Sequence, residues 1–136
     1  TISYKKADQV SRCNIGCCLY YHILNVLPSG TIELVEKNIP LWEGELSDKL
    51  AVIKHANDKY WWLLAHESTS NRFLRFLIRN NEISRPIFQT IGRGPTVENM
   101  DKGSFYWAGE MVFSPNGNHL AIAAGYLEVL ELYNFG

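Results

Sequence analysis

Val52-Ile53-Lys54-His55-Ala56-Asn57-Asp58-Lys59-Tyr60-Trp61-Trp62-Leu63-Leu64-Ala65 and Met111-Val112-Phe113-Ser114-Pro115-Asn116-Gly117-Asn118-His119-Leu120-Ala121-Ile122-Ala123-Ala124 match residue for residue in kind: strand, tight polar turn, strand. Each centres on Asn next to Asp or Gly, the chemistry that lets a chain reverse and pair with itself. A third extended segment follows each, Phe73-Leu74-Arg75-Phe76-Leu77 aligning with Val129-Leu130-Glu131-Leu132-Tyr133 in apolar and polar pattern. Upstream, Tyr20 to Val26, the Pro28-Ser29-Gly30 turn and an extended Thr31 to Val35 read as the end of an earlier copy. They parallel Ile78, Asn80-Asn81 and Pro86 to Ile91. The spacing is about 55 residues, a period that marks a repeat architecture.

The rest of the chain agrees. Turn signals recur at Asn57-Asp58, Ser68 to Asn71, Asn80-Asn81, Gly92 to Pro95 and Pro115 to Asn118. Between the turns, Cys18 to Val26, Leu50 to Lys54, Tyr60 to His66, Arg72 to Ile78, Pro86 to Ile91, Glu110 to Phe113, His119 to Ala124 and Leu127 to Tyr133 read as strands. The best helical stripe, Phe73, Phe76 and Leu77, is equally well explained by alternation, and its Asn-rich flanks decide for strand.

A recurring unit of about four antiparallel strands cannot bury both of its faces alone and stacks on its neighbours, as a β-propeller blade does. The expected fold is therefore all-β, a partial β-propeller of two to three blades of four-stranded antiparallel sheet. Residues 1–48 form the end of a preceding blade and a connection, 49–92 a blade-like repeat, 93–109 a connecting loop and 110–136 the start of the next blade. Since closed rings take roughly four to eight blades, the expectation is a piece of a longer parent chain that holds the remaining blades.

Glu110 to Ala121, with its Phe113-Ser114-Pro115-Asn116-Gly117 turn followed by Leu120-Ala121, resembles the WD40-like propeller repeat of the TolB type. The other copy carries Lys54-His55-Ala56-Asn57, Trp61-Trp62, His66-Glu67 and Asn71-Arg72-Phe73. It is similar to the repeats of large secreted propeller proteins of Bacteroidota, which often end in a gliding-motility-associated or type IX secretion sorting module. The closing Leu130-Glu131-Leu132-Tyr133-Asn134-Phe135 is similar to a strand of the same repeats. The resemblance covers about residues 20 to 135, and Asp58 departs from it where those repeats usually have Gly. It implies a secreted or cell-surface location and a non-enzymatic scaffold whose loop rims meet a protein or glycan partner. The alternative is a propeller enzyme, a hydrolase or lyase, with its site at the channel mouth.

Composition narrows the function classes further. The chain has 136 residues, 46% apolar and 20% charged, as in ordinary folded domains, and a formal net charge of -1. It lacks the basic excess of nucleic-acid binders and any apolar run approaching the roughly 18 residues of a membrane span. Thr1 to Arg12 lack the apolar centre of a signal peptide. Neither a nucleic-acid partner nor a membrane span is expected.

Individual residues offer chemistry that local structure also explains. His66-Glu67 begins like a zinc-protease H-E-x-x-H, but Ser70 stands at the fifth position, and the pair is assigned to satisfying loop backbone groups between blade strands. His55 flanks a turn, and Ser114 with His119 lacks a third orienting group for nucleophilic catalysis. Gly92-Arg93-Gly94-Pro95 lacks a phosphate fingerprint and reads as an inter-blade connection. Glu43, Glu45, Asp48, Glu98 and Asp101 are placed in long loops, where a glycosidase-type pair would have to come from distant segments. Cys13, Cys17 and Cys18 read as buried strand thiols, with a zinc site completed by His22 as the alternative. Tyr60-Trp61-Trp62 reads as packing between sheets, and Phe105-Tyr106-Trp107 as the candidate contact surface. No catalytic residue, cofactor or metal is assigned. His55, Asn57, Trp61, Trp62, His66, Glu67, Phe113, Ser114, Pro115, Asn116 and Gly117 define the repeat.

Overall fold

The computed structural model describes residues 2–4, 18–80, 82–94, 108–124 and 129–136. The protein is all-β: the described residues form eleven strands in three antiparallel sheets, with no helix and no sheet closed on itself. The chain divides into two compact units, Thr1–Leu46 and Ser47–Gly136.

The first unit holds the first sheet, in the order β1 (Ile2–Tyr4), β2 (Cys18–Val26), β3 (Ile32–Glu43). The β2–β3 hairpin turns through Leu27 to Thr31, where the Gly30 N–H donates to the Leu27 carbonyl at 2.8 Å and the Leu27 N–H to the Thr31 carbonyl at 2.9 Å. Its register slips between Tyr21 and Leu24. Asn38 takes up the irregularity in a left-handed conformation (φ 57°), and its N–H donates to His22 Nδ1 at 3.2 Å. Cys18 and Leu19 are buried, whereas Val26, Ile32, Leu34 and Val35 near the tip are exposed.

The second unit holds two sheets. The second sheet runs β4 (Leu46–Lys54), β5 (Trp61–Glu67), β6 (Arg72–Arg79), and the outer edge of β6 carries both β7 (Glu82–Ile83) and β8 (Ile87–Thr90). Those two short pieces make one interrupted fourth strand, because β8 pairs with Arg72 to Arg75 and β7 with Ile78 and Arg79. The third sheet is a meander of β9 (Gly109–Phe113), β10 (His119–Ala124) and β11 (Val129–Asn134).

Alternation along the strands gives each sheet two faces. In the second sheet, Trp62, Leu64 and His66 lie on one face opposite Leu77, Arg75 and Phe73. Leu63, Ala65, Leu74 and Phe76 lie on the other, all but sealed from solvent. In the third sheet, Leu120 and Ile122 share a face with Phe113, Met111, Tyr133 and Glu131. The core of the unit forms where these faces meet: Ala51, Leu64 and Phe73 cluster with Met111, Leu120 and Ile122, with Trp62, Phe113, Tyr133 and Phe135 packed around them. Fully burying each large aliphatic side chain here contributes about 1.5–3 kcal/mol.

Three local expectations are corrected. Residues 36–43 continue β3 and 46–49 begin β4, so Glu43 and Asp48 are strand residues and not loop residues. The reason is that Pro40 still pairs with Tyr20 beyond the Asn38 irregularity, and that Ser47, Asp48 and Lys49 hold strand geometry despite their polarity. The third segment of the repeat is also shifted by one residue. Trp61 pairs with Ile78 as Leu120 pairs with Tyr133, so Leu74–Ile78 and not Phe73–Leu77 matches Val129–Tyr133. In a strand, one residue of slip exchanges the two faces.

Candidate functional site

The two turns that define the repeat are built by the same bonds. The His55 N–H donates to the Tyr60 carbonyl, and the Asp58 N–H to the His55 carbonyl, both at 2.9 Å. In the second copy, the Ser114 N–H donates to the His119 carbonyl and the Gly117 N–H to the Ser114 carbonyl, again both at 2.9 Å. Asp58 and Gly117 occupy the same left-handed position, at φ 58° and 74°. Asn57 Oδ1 accepts from the N–H groups of Lys59 and Tyr60 at 3.0 and 3.1 Å, and Asn116 Oδ1 accepts from the Asn118 N–H at 3.2 Å. His55 and Ser114 take the same place by different chemistry. His55 Nδ1 accepts from the Asn57 N–H at 3.0 Å, while Ser114 Oγ donates to Asn116 Oδ1 at 2.7 Å and accepts from the His119 N–H at 3.0 Å. Both side chains are occupied in holding their turns. The His55 ring further stacks on Trp62, with centroids 5.5 Å apart.

The most concentrated polar chemistry among the described residues lies at the far end of the second sheet, where Ser47, Lys49, His66 and Glu67 are all buried. Ser47 Oγ donates to the His66 carbonyl at 3.0 Å, binding β4 to β5. The His66 ring packs edge-on against Phe73, 4.6 Å between centroids. Burial holds this imidazole below its ordinary pKa, with the nearby Lys49 cation adding to the effect and a bond to the Glu67 main chain and the Glu131 and Glu67 carboxylates opposing it. Lys49, only 4% exposed, is likewise pushed down by burial, opposed by Asp48. Glu67 goes the other way. Burial alone would raise its pKa, but bonds from Arg72 and Ser70 outweigh that and hold the carboxyl below the usual range.

Glu67 Oε1 pairs with Arg72 Nη2, and Oε2 accepts from Ser70 Oγ at 2.6 Å, so one carboxylate fixes the whole β5–β6 loop. Glu67 thus meets the side chains of Ser70 and Arg72, and not the loop backbone groups to which the His66-Glu67 pair was assigned. Asn71 extends the arrangement, its Nδ2 donating to the Gly92 carbonyl at 3.0 Å while its carbonyl accepts from the Ile91 N–H at 3.1 Å. From there Arg93 donates its N–H to Glu131 Oε1 at 3.0 Å, and Tyr133 donates its hydroxyl to Glu131 Oε2 at 2.7 Å. The Gly92–Gly94 segment is therefore latched to β11. Gly92 stands at φ 81°, and a Cβ there would collide with the Tyr133 hydroxyl, so only glycine fits.

The tryptophans divide. Trp62 packs against the core and lies beneath the Arg75 guanidinium, 5.6 Å from ring centroid to Cζ, whereas Trp61 on the opposite face is 44% exposed. The reading of both as packing between sheets is corrected for Trp61. Phe113 packs edge-on with Phe135, centroids 4.8 Å apart. Pro115 lies in the turn with Asn116 and Gly117. Phe105, Tyr106 and Trp107, the expected contact surface, lie outside the described residues, as do Pro95, Glu98, Asp101, Cys13 and Cys17.

Cys18 is disulfide-bonded, which corrects its reading as a free strand thiol. Among the described residues no group of three or more His, Cys, Asp or Glu is placed to hold a metal ion, and no helix is long and apolar enough to cross a membrane. What sequence reasoning missed is the burial of Ser47 and Lys49. The signal was the alternation Ser47, Lys49, Ala51, Ile53, which continues one face of β4 through polar residues. The chain matches no family model, no curated protein and no solved structure.

Proposed function

We propose that the chain is part of a WD40-like β-propeller and acts as a non-enzymatic binding or scaffold region of a secreted or cell-surface protein, its loop rims meeting a protein or glycan partner. The observation that carries this reading is the recurrence, in two consecutive sheets, of one strand-turn-strand unit with the same turn bonds, one sheet stacked on the next through opposite faces. Such head-to-tail stacking propagates, unlike a two-fold contact, which ends with the pair.

Two further observations support it. Two of the buried polar side chains at the end of the second sheet, Ser47 and Glu67, join strands and loops, the use a scaffold makes of them. The bonded Cys18 fits an oxidising compartment outside the cytosol.

The test is the intact mass of the polypeptide as isolated from its source, with its terminal sequences and with alkylation of Cys18 before and after reduction. The expected result is a mass several times 15.6 kDa, further copies of the repeat, and a Cys18 that alkylates only after reduction. A mass of 15.6 kDa, or a thiol that alkylates at once, overturns the reading.

A further inference from the structure

The open face of the third sheet has a counterpart that shows what covers such a face. The turn bonds carry Ile53 onto Val112 and Trp62 onto Ala121, and the strand pairing carries Leu64 onto Ala123, Arg75 onto Leu130 and Leu77 onto Leu132. In the second sheet Trp62 and Leu64 pack into the core shared with the third sheet, with Leu64 2% exposed. In the third sheet Val112, Leu130 and Leu132 are 61%, 64% and 71% exposed. Aliphatic side chains on one sheet face lose hydrophobic stabilisation when left in water.

Resting on the repeat reading above, we infer that this face is the seat of a further antiparallel sheet of the same polypeptide, and that the seated sheet brings larger side chains than the third sheet brings to the second. Size complementarity carries the second part. Trp62 and Leu64 are replaced by Ala121 and Ala123, so side chains no larger than Leu120 and Ile122 would leave voids, and close packing calls for aromatic rings. The chemistry changes as well. Lys49 and Arg75 give way to Ala108 and Leu130, so this face carries no cation where the second sheet carries two.

Patch size selects a tethered occupant over a free one. Among the described residues this face offers Val112, Ala121, Ala123, Leu130 and Leu132, far fewer than the roughly 20–30 residues a side of a stable interface between separate proteins. A sheet on the same chain escapes the loss of translational freedom that separate partners incur.

The experiment incorporates photo-leucine into the polypeptide as isolated from its source, using a mixture of 14N and 15N chains, and maps labelling and crosslinks by mass spectrometry. Val26 and Ile32, exposed in the first sheet, and Leu64 and Ile122, buried in the core, serve as internal references for solvent footprinting. The expected result is protection of Val112, Leu130 and Leu132 equal to that of Leu64 and Ile122, with Leu130 and Leu132 crosslinked within one chain to a strand bearing aromatic residues. Labelling as free as that of Val26 and Ile32 in a longer polypeptide overturns the inference and leaves the repeat reading standing. Crosslinks between 14N and 15N chains assign the face to a second copy and overturn it, as does an intrachain partner strand without aromatic residues.

Discussion

Leu64 and Ala123 hold equivalent places in two sheets of one repeat, yet Leu64 sits in the core and Ala123 is open to solvent. The surrounding residues follow. Where the second sheet sets Trp62 and Leu64 against a neighbour, the third sheet presents Ala123, Leu130 and Leu132 outward. The backbone recipe is common to both, down to the turn bonds, so strand and turn formation depend on local chemistry, whereas burial depends on what stacks next.

That contrast can be broken or sharpened by substitution in the 136-residue chain. The largest effect belongs to Leu64→Ala, which removes a buried side chain from the shared core and should cost about 2–5 kcal/mol, read as a lower urea midpoint. Next come the matched turns. Gly117→Val forces a branched side chain into the left-handed region and should cost roughly 1–2 kcal/mol. Asp58→Gly relieves the same conformation and should stabilise by up to about 1 kcal/mol, because the Lys54–Asp58 pair it removes (3.1 Å, largely exposed) is worth little. If both substitutions move stability in the same direction, the equivalence of the turns is wrong.

A pH series probes the polar end that the second sheet has and the third lacks. His66 has a folded pKa below its unfolded value, so its contribution is present above about pH 6.5 and is lost as the pH falls through the folded value. Glu67, also depressed, acts in a lower window: its contribution stands above about pH 4.5 and fades on further acidification. Urea midpoints should therefore fall in two stages, and His66→Gln should abolish the upper one alone. Smallest of all is Leu132→Lys, which should shift stability by less than about 0.5 kcal/mol in the isolated chain, read as an unchanged urea midpoint. A large loss of stability would mean that the face is already packed.

Much of this arrangement was legible in the residues. Cys18–Val26, the strand expected from β-branched and aromatic content, forms with those bounds, and the Asn57-Asp58 and Asn116-Gly117 turns form where turn chemistry puts them. Local rules see such features because they depend on near neighbours. The β4 residues Ser47 and Lys49 escaped because their polarity outweighed their alternation, and it is the pairing with β5 that makes them strand. The one-residue slip in the third segment escaped for a related reason. Phe73-Leu74 and Leu130-Glu131-Leu132 offer two plausible alignments, and only hydrogen-bond register between strands chooses. Of the polar cluster, His66 and Glu67 were visible as a pair, but their partners Lys49 and Arg72 meet them only through the folded sheet.

The interrupted outer strand of the second sheet has a consequence for solubility. Between β7 and β8 the Leu77 N–H donates to Ser84 Oγ at 2.9 Å, so a side chain stands in for a main-chain acceptor, and Pro86 follows with no N–H to offer. A long uniform edge is a template on which foreign strands can add, the first step toward fibrils. Here the edge is cut into pieces of two and four residues, too short and too broken to serve as one. A protein that exposes aliphatic faces has reason to blunt its edges in this way, because an open edge beside an apolar face invites lateral growth.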